Sequence, residues 1–149
     1  MSTMSRILAL AALLVALGGM QGCKKAETVS AADVLGTWEI KSWSQGYSNS
    51  LFKGCDMKGT LEFIAHSYDG RPYYRVRFTF KRDGLPQIME GDADLAGLPV
   101  ITFECWFGGG FPDNMGFRGI VEEGRMLGYG GFYWDIRQYG GWEWEAVKK

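Results

Sequence analysis

The chain has 149 residues, and its 16 Lys and Arg nearly balance its 17 Asp and Glu, giving a formal net charge of −1. No basic run is longer than two residues, which excludes the broad positive surface of a nucleic-acid-binding protein. The length suits one domain with a sizeable core, and the aromatic content is high at 15%.

The first 22 residues resemble the signal peptide of a bacterial lipoprotein. Arg6 supplies a positive charge, and an apolar run extends from Ile7 to Leu17. This run of about 11 residues fits a signal-peptide core and is too short to span a bilayer. The Met-Gln-Gly-Cys segment that follows (20–23) resembles a lipobox, in which the chain is cut before the cysteine and the thiol is acylated.

This resemblance implies that Cys23 carries acyl chains such as palmitate and holds the protein at a membrane. Several acyl chains on one cysteine anchor a protein stably, whereas a single chain is marginal. Lys24, in place of aspartate, favours the periplasmic face of the outer membrane by resemblance to the enterobacterial sorting pattern, with the inner membrane as the alternative. Residues 23–32 are then expected to form a lipidated tether, and residues 33–149 a single β-barrel domain.

Two further cysteines, Cys55 and Cys105, remain in the mature chain. An even pair in an exported protein most simply forms a disulfide, and two separate thiols are the alternative. Closing a loop of about 50 residues destabilises the unfolded chain by about 4 kcal/mol in the entropy model. His66 is the only histidine and has no partner at ligand spacing, so we expect no metal site.

From residue 34 onward the sequence predicts β structure. Val76, Phe78 and Phe80, for example, alternate with polar residues, which is the pattern of a half-buried strand. One helical turn is expected beside Asp33, and the strands are expected at 36–44, 58–66, 72–81, 86–94, 99–107, 115–122, 125–134 and 136–147. Short turns without a long Greek-key return favour an all-β, antiparallel up-and-down eight-stranded barrel, whose closure removes exposed edges. A two-sheet β-sandwich is the alternative.

A short echo lies near the C-terminus, where Tyr129-Gly-Gly recurs as Tyr139-Gly-Gly. A Gly-Gly pair suits a two-residue hairpin, which would place Arg137 opposite Trp144. The other interpretation is a bulge inside one long strand. The sequence leaves both open.

The Gly36-Thr37-Trp38 tripeptide, at the start of the first predicted strand, resembles the signature of the lipocalin (calycin) family. The short chain is similar to small bacterial lipocalin-like lipoproteins. In that family the tryptophan closes the base of the barrel and an arginine near the last strand packs across its ring. The resemblance implies that Trp38 and Arg137 form this barrel-closing pair.

All 22 aromatic residues lie after Cys23. Rings that face inward either fill a small barrel or line a pocket for a small hydrophobic ligand. Rings that face outward beside glycine-rich loops form a binding surface instead. Candidates for that surface are Trp43, Trp106 and Phe111.

Glu90, Asp92 and Asp94 are spaced to project from one face of a strand. We expect a solvated face that discourages edge pairing, with cation binding as the alternative. No catalytic triad, HExxH, P-loop or dinucleotide-binding motif is found. The sequence therefore favours a non-enzymatic binding protein without a cofactor, holding a small hydrophobic ligand. The alternative is a protein-interaction lipoprotein that acts through surface loops, such as a cell-wall hydrolase inhibitor or an envelope-assembly accessory.

Overall fold

A computed structural model describes residues 28–45, 52–106, 114–132 and 141–149. One helical turn, α1 (Ala31–Val34), precedes eight strands: β1 (Gly36–Gln45), β2 (Cys55–Tyr68), β3 (Arg71–Arg82), β4 (Leu85–Asp94), β5 (Val100–Trp106), β6 (Asn114–Glu122), β7 (Arg125–Phe132) and β8 (Gly141–Lys148). The eight predicted strands and the helical turn are confirmed. Among the residues described, no helix has both the length and the apolar character needed to cross a membrane.

The strands form a closed barrel in which each strand is antiparallel to the next. β8 pairs with β1, and this pairing, which includes Trp43 opposite Trp144, closes the ring. The predicted up-and-down barrel is confirmed, and the sandwich alternative is wrong. Within the described barrel wall, closure gives every strand two neighbours, so the wall has no edge strand.

Alternation along the strands separates the interior of the barrel from its surface. In β5, Phe103 and Cys105 are buried, while Thr102 and Glu104 lie on the outer face. In β8, Trp142 and Trp144 are buried on one face, as their spacing predicts. The inward side chains form one apolar core that runs through the barrel.

A β-bulge changes the orientation of β1 half-way along the strand. Its register against β8 shifts between Ile40 and Ser42, which leaves Lys41 as an extra residue. Trp38 and Ile40 face inward before the bulge, and Trp43 is turned inward after it. The bulge therefore brings a second tryptophan of β1 into the interior.

Glycines in β6 and β7 make room for the indole rings of β8. A Cβ atom at Gly119 would lie 3.0 Å from the Trp144 ring, and one at Gly130 would overlap the Trp142 ring. Trp144 pairs with Gly128 on one side and with β1 on the other, so the predicted hairpin with Arg137 opposite Trp144 is wrong. The register of β7 against β8 is unbroken from Arg125 to Gly131, so Gly130 and Gly131 form no bulge against β8, while Gly140 falls outside the described residues.

The end of the barrel at which the chain enters β1 is closed by α1. The Trp38 indole is fully buried there and donates a hydrogen bond to the Val34 carbonyl at 2.7 Å. At the start of α1, the Asp33 carboxylate accepts hydrogen bonds from the backbone and hydroxyl of Ser30 at 2.7 and 2.8 Å. These contacts fix the helical turn across the base, which we call the closed end.

Candidate functional site

The opposite end of the barrel, which we call the mouth, bears the longer connections. The connections 46–54, 107–113 and 133–140 all leave from the mouth, and only 83–84 is short there. At the closed end the connections are 69–70, 95–99 and 123–124. Binding residues concentrate on long loops carried by a rigid scaffold, so the mouth is the candidate functional site.

Four aromatic rings form a layer just inside the mouth, which we call the aromatic floor: Trp43, Phe52, Phe132 and Trp142. Trp43 and Trp142 stack with ring centroids 5.4 Å apart, and Phe52 stacks on Phe132 at 5.6 Å. Phe52 also meets the Trp142 ring edge-on at 5.9 Å. Trp43 and Phe52 are only half-buried, so part of the floor is accessible from the mouth.

A second aromatic layer lies below the floor and fills the barrel there. Phe103 and Phe117 stack with centroids 4.5 Å apart, and Trp144 meets them edge-on at 5.6 and 5.9 Å. Phe63 contacts Phe103 from the far wall at 5.3 Å. At this level rings from four strands meet across the barrel axis, so the interior of the barrel is filled below the aromatic floor.

Two buried indole N–H groups have no hydrogen-bond acceptor within the described part of the chain. They are Nε1 of Trp142 and Nε1 of Trp144, in side chains only 3% and 2% exposed. By contrast, Trp43 Nε1 donates to the Gln45 side chain at 3.1 Å. A buried donor without an acceptor costs about 1–3 kcal/mol, and such groups in native proteins are usually satisfied by water or a ligand.

The predicted disulfide between Cys55 and Cys105 is not formed, because both thiols are free. Cys105 is fully buried in β5, and this burial raises the pKa of its thiol far above the ordinary value. Cys55 lies at the mouth end of β2, where its sulfur accepts a hydrogen bond from Arg82 Nε at 3.4 Å. The prediction rested on an even cysteine count, which says nothing about the placement of the two thiols on non-adjacent strands.

The three aromatic residues predicted to form a surface do not lie together. Trp43 points into the barrel as part of the aromatic floor. Trp106 lies on the outer face of β5, where the Arg75 guanidinium is 5.7 Å from its ring centroid, a cation–π distance. Phe111 falls outside the described residues. The structure therefore assigns Trp43 and Trp106 to opposite sides of the barrel wall.

Trp38 lies at the closed end, as the lipocalin resemblance implies, while Arg137 and Cys23 fall outside the described residues. The basic group seen near the Trp38 ring belongs to Lys148, whose Nζ is 5.9 Å from the ring centroid. The same Nζ donates to the Asp33 carbonyl at 2.7 Å, so it also holds the end of α1. Lys148 was not predicted from the sequence as the partner of Trp38, although its position at the end of the last strand could have indicated it.

The acidic row of β4 is on the outer face, as its spacing predicts. Arg77 contacts Glu90 and Arg75 contacts Asp92, each at 2.9 Å. Hydrogen bonding to Glu90 raises the pKa of the Arg77 guanidinium. Because β4 is paired on both sides, the row protects no free edge, contrary to the expectation.

No cluster of three or more potential metal ligands occurs among the described residues. The only histidine is exposed and stacks on Tyr73 with centroids 5.2 Å apart. No family model, curated protein or solved structure matches this chain. Function therefore has to be inferred from the geometry of the barrel itself.

Proposed function

We propose that the protein is a non-enzymatic binding protein that holds a small hydrophobic ligand at the mouth of its barrel. It is tethered through acylated Cys23 to the periplasmic face of the outer membrane. The Gly36-Thr37-Trp38 opening of β1, the closed eight-stranded barrel and the basic residue over Trp38 support a place among the small lipocalin-like lipoproteins. Ligand binding inside a barrel of this size is a common use of such a scaffold.

The observation that carries the proposal is the indole N–H of Trp142, a ring of the partly accessible aromatic floor, which has no hydrogen-bond acceptor in the described part of the chain. An apolar ligand stacks on the half-buried face of Trp43 and places a hydrogen-bond acceptor near Trp142. The ligand is therefore a hydrophobic molecule with at least one acceptor atom. Trp142 and Trp144 are two positions apart on β8, which places their Cα atoms about 7 Å from each other.

Native mass spectrometry of the soluble domain, expressed from Ala26 and kept unheated, tests this proposal. We expect a bound small molecule of defined mass. After its removal by organic extraction, the indole ¹H–¹⁵N signal of Trp142 should shift. The indole signal of Trp38, which is bonded to Val34 at the closed end, serves as the control and should not move. A bare mass, with no shift of the Trp142 indole signal when hydrophobic ligands are added, would contradict the proposal.

A second candidate function is protein interaction, favoured by an apolar stripe on the outside of the barrel. The stripe consists of Val100, Ile120, Leu127 and Tyr129 on β5, β6 and β7. Val100 pairs with Ile120, and Ile120 with Leu127, so the side chains are adjacent, and the last three are exposed. Contiguous exposed apolar side chains often mark protein contacts, here with an envelope protein such as a cell-wall hydrolase. Replacing Leu127 with Glu should abolish such a contact without affecting ligand retention.

A further inference from the structure

The β2–β3 hairpin projects beyond its neighbours at the closed end. Pairing of β1 with β2 reaches no further than Gly36 opposite Phe63, and pairing of β3 with β4 ends at Tyr74 opposite Ala93. β2 and β3 nevertheless remain paired as far as Tyr68 opposite Arg71. Residues 66–73, which we call the tip, thus form a two-stranded projection without a neighbouring strand on either side.

The tip exposes aromatic side chains that have both an apolar body and a polar end. Tyr68 is 79% exposed, more than any other large hydrophobic side chain described, and Tyr73 is 42% exposed. His66 stacks on Tyr73 with an interplanar angle of 22°, which extends the aromatic surface. Tyrosine is enriched where proteins meet the headgroup region of a bilayer, because its ring is apolar and its hydroxyl remains hydrated.

The chain leading from Cys23 reaches the barrel at this same end. Val29 and Ala31 pack against the core, so the chain is held at the closed end from Val29 onward. Thr28 is five positions beyond Cys23, and at 3.3–3.6 Å per extended residue this segment spans at most about 18 Å. An acyl anchor on Cys23 therefore holds the closed end, with its tip, close to the bilayer surface.

We propose that the tip is a membrane-contacting element whose tyrosines lie in the headgroup layer of a phospholipid bilayer. This inference rests on the proposed acylation of Cys23, because the anchor supplies a high local concentration of the tip at the surface. Contact through the tip and the tether together fixes the closed end against the membrane. The mouth and its aromatic floor then face the aqueous periplasm, where a ligand can enter.

A fluorescent label near the tip tests the contact without depending on acylation. The domain carries a histidine tag in place of Cys23 and is attached to phosphatidylethanolamine–phosphatidylglycerol vesicles that contain a nickel-chelating lipid. An environment-sensitive dye is placed on Ser67→Cys in a Cys55→Ser background, since buried Cys105 does not react. Matched labels at Lys81→Cys, near the mouth, and Glu122→Cys, the last residue of β6 at the closed end, are the controls.

We expect quenching by nitroxide lipids to be at least fivefold stronger at position 67 than at position 81, and intermediate at position 122. Adding Tyr68→Ser and Tyr73→Ser should reduce quenching at position 67 to the value at position 122. Equal quenching at all three positions would overturn the proposal. Failure of the anchor has a separate readout, because wild-type protein and Cys23→Ser would then partition equally into cell membranes.

Discussion

Gly130→Ala tests whether the absence of a side chain at Gly130 positions the Trp142 ring in the aromatic floor. The added Cβ would lie 2.5 Å from the Gly116 carbonyl oxygen and closer still to Trp142 Nε1. The carbonyl belongs to the paired β6 strand and moves only if the ladder opens, so the indole has to shift. Shifting it disturbs its stack with Trp43.

The expected change in the free energy of unfolding follows from two opposing effects. Overpacking of a well-packed interior costs about 1–3 kcal/mol. Replacing glycine with alanine returns about 0.5–1 kcal/mol by restricting the unfolded chain. The difference spans about 0–2.5 kcal/mol, and because one clash is with paired backbone we expect its upper part, a loss of about 1–2.5 kcal/mol in the free energy of unfolding, or a Tm lower by about 4–10 °C.

Urea unfolding and near-UV circular dichroism measure this effect, and Gly116→Ala is the matched control. A Cβ at Gly116 meets its nearest atom, the Gly131 carbonyl oxygen, at an ordinary 3.5 Å. The control should be neutral or slightly stabilising and should leave the tryptophan spectrum unchanged. Equal stability of the two variants, with identical near-UV spectra, would refute the steric role assigned to Gly130.

Four further predictions concern the Trp142 indole donor, the closed end and the thiols. Trp142→Phe removes a donor that has no acceptor in the described part of the chain, so the ligand-free domain should lose less than about 1 kcal/mol by urea unfolding while ligand retention falls in native mass spectrometry; large destabilisation with full retention would contradict this. Lys148→Met should cost about 1 kcal/mol by the same assay, because Nζ loses the Asp33 carbonyl and the Trp38 ring. Hydrogen bonds from the backbone N–H and the hydroxyl of Ser30 lower the pKa of Asp33. This carboxylate therefore stabilises the fold above its unfolded pKa, and the effect is lost as the pH falls through the folded pKa. In Ser30→Ala, NMR titration should show a higher Asp33 pKa, and the loss of stability at neutral pH should vanish in acid. In the native protein a thiol reagent should modify Cys55 and leave buried Cys105 unmodified until the chain unfolds.

The strands were predictable because alternation and turn residues are local signals, and closure was predictable because an open meander leaves two exposed edges. Val76, Phe78 and Phe80 are all buried, as their spacing requires. The helical turn was also foreseeable, since its contacts join Ser30 to Asp33 within the same turn. Local patterns of this kind depend on the backbone period and not on which strands become neighbours.

Features that depend on register were not predictable. The bulge at Lys41 is defined only by the pairing of β1 with β8, so the alternation of β1 alone did not show that Trp43 faces inward. The pairing of Gly130 with Trp142 similarly joins two strands whose connection is long. From the sequence, Trp43 was consequently a candidate for a binding surface, and the repeated Gly-Gly pairs were open to interpretation as a hairpin or as bulges.

These departures from local pattern fall at the mouth and not at the closed end. The closed end follows simple rules, with a Gly-x-Trp opening, a capped helical turn and short connections. Towards the mouth, the bulge in β1 turns Trp43 inward, Gly130 makes room for the Trp142 ring, and the Trp142 indole N–H has no acceptor in the described part of the chain. Proteins break local rules mainly where function compensates for the lost stability. Because these costs converge on one aromatic floor, the mouth is where we expect the ligand.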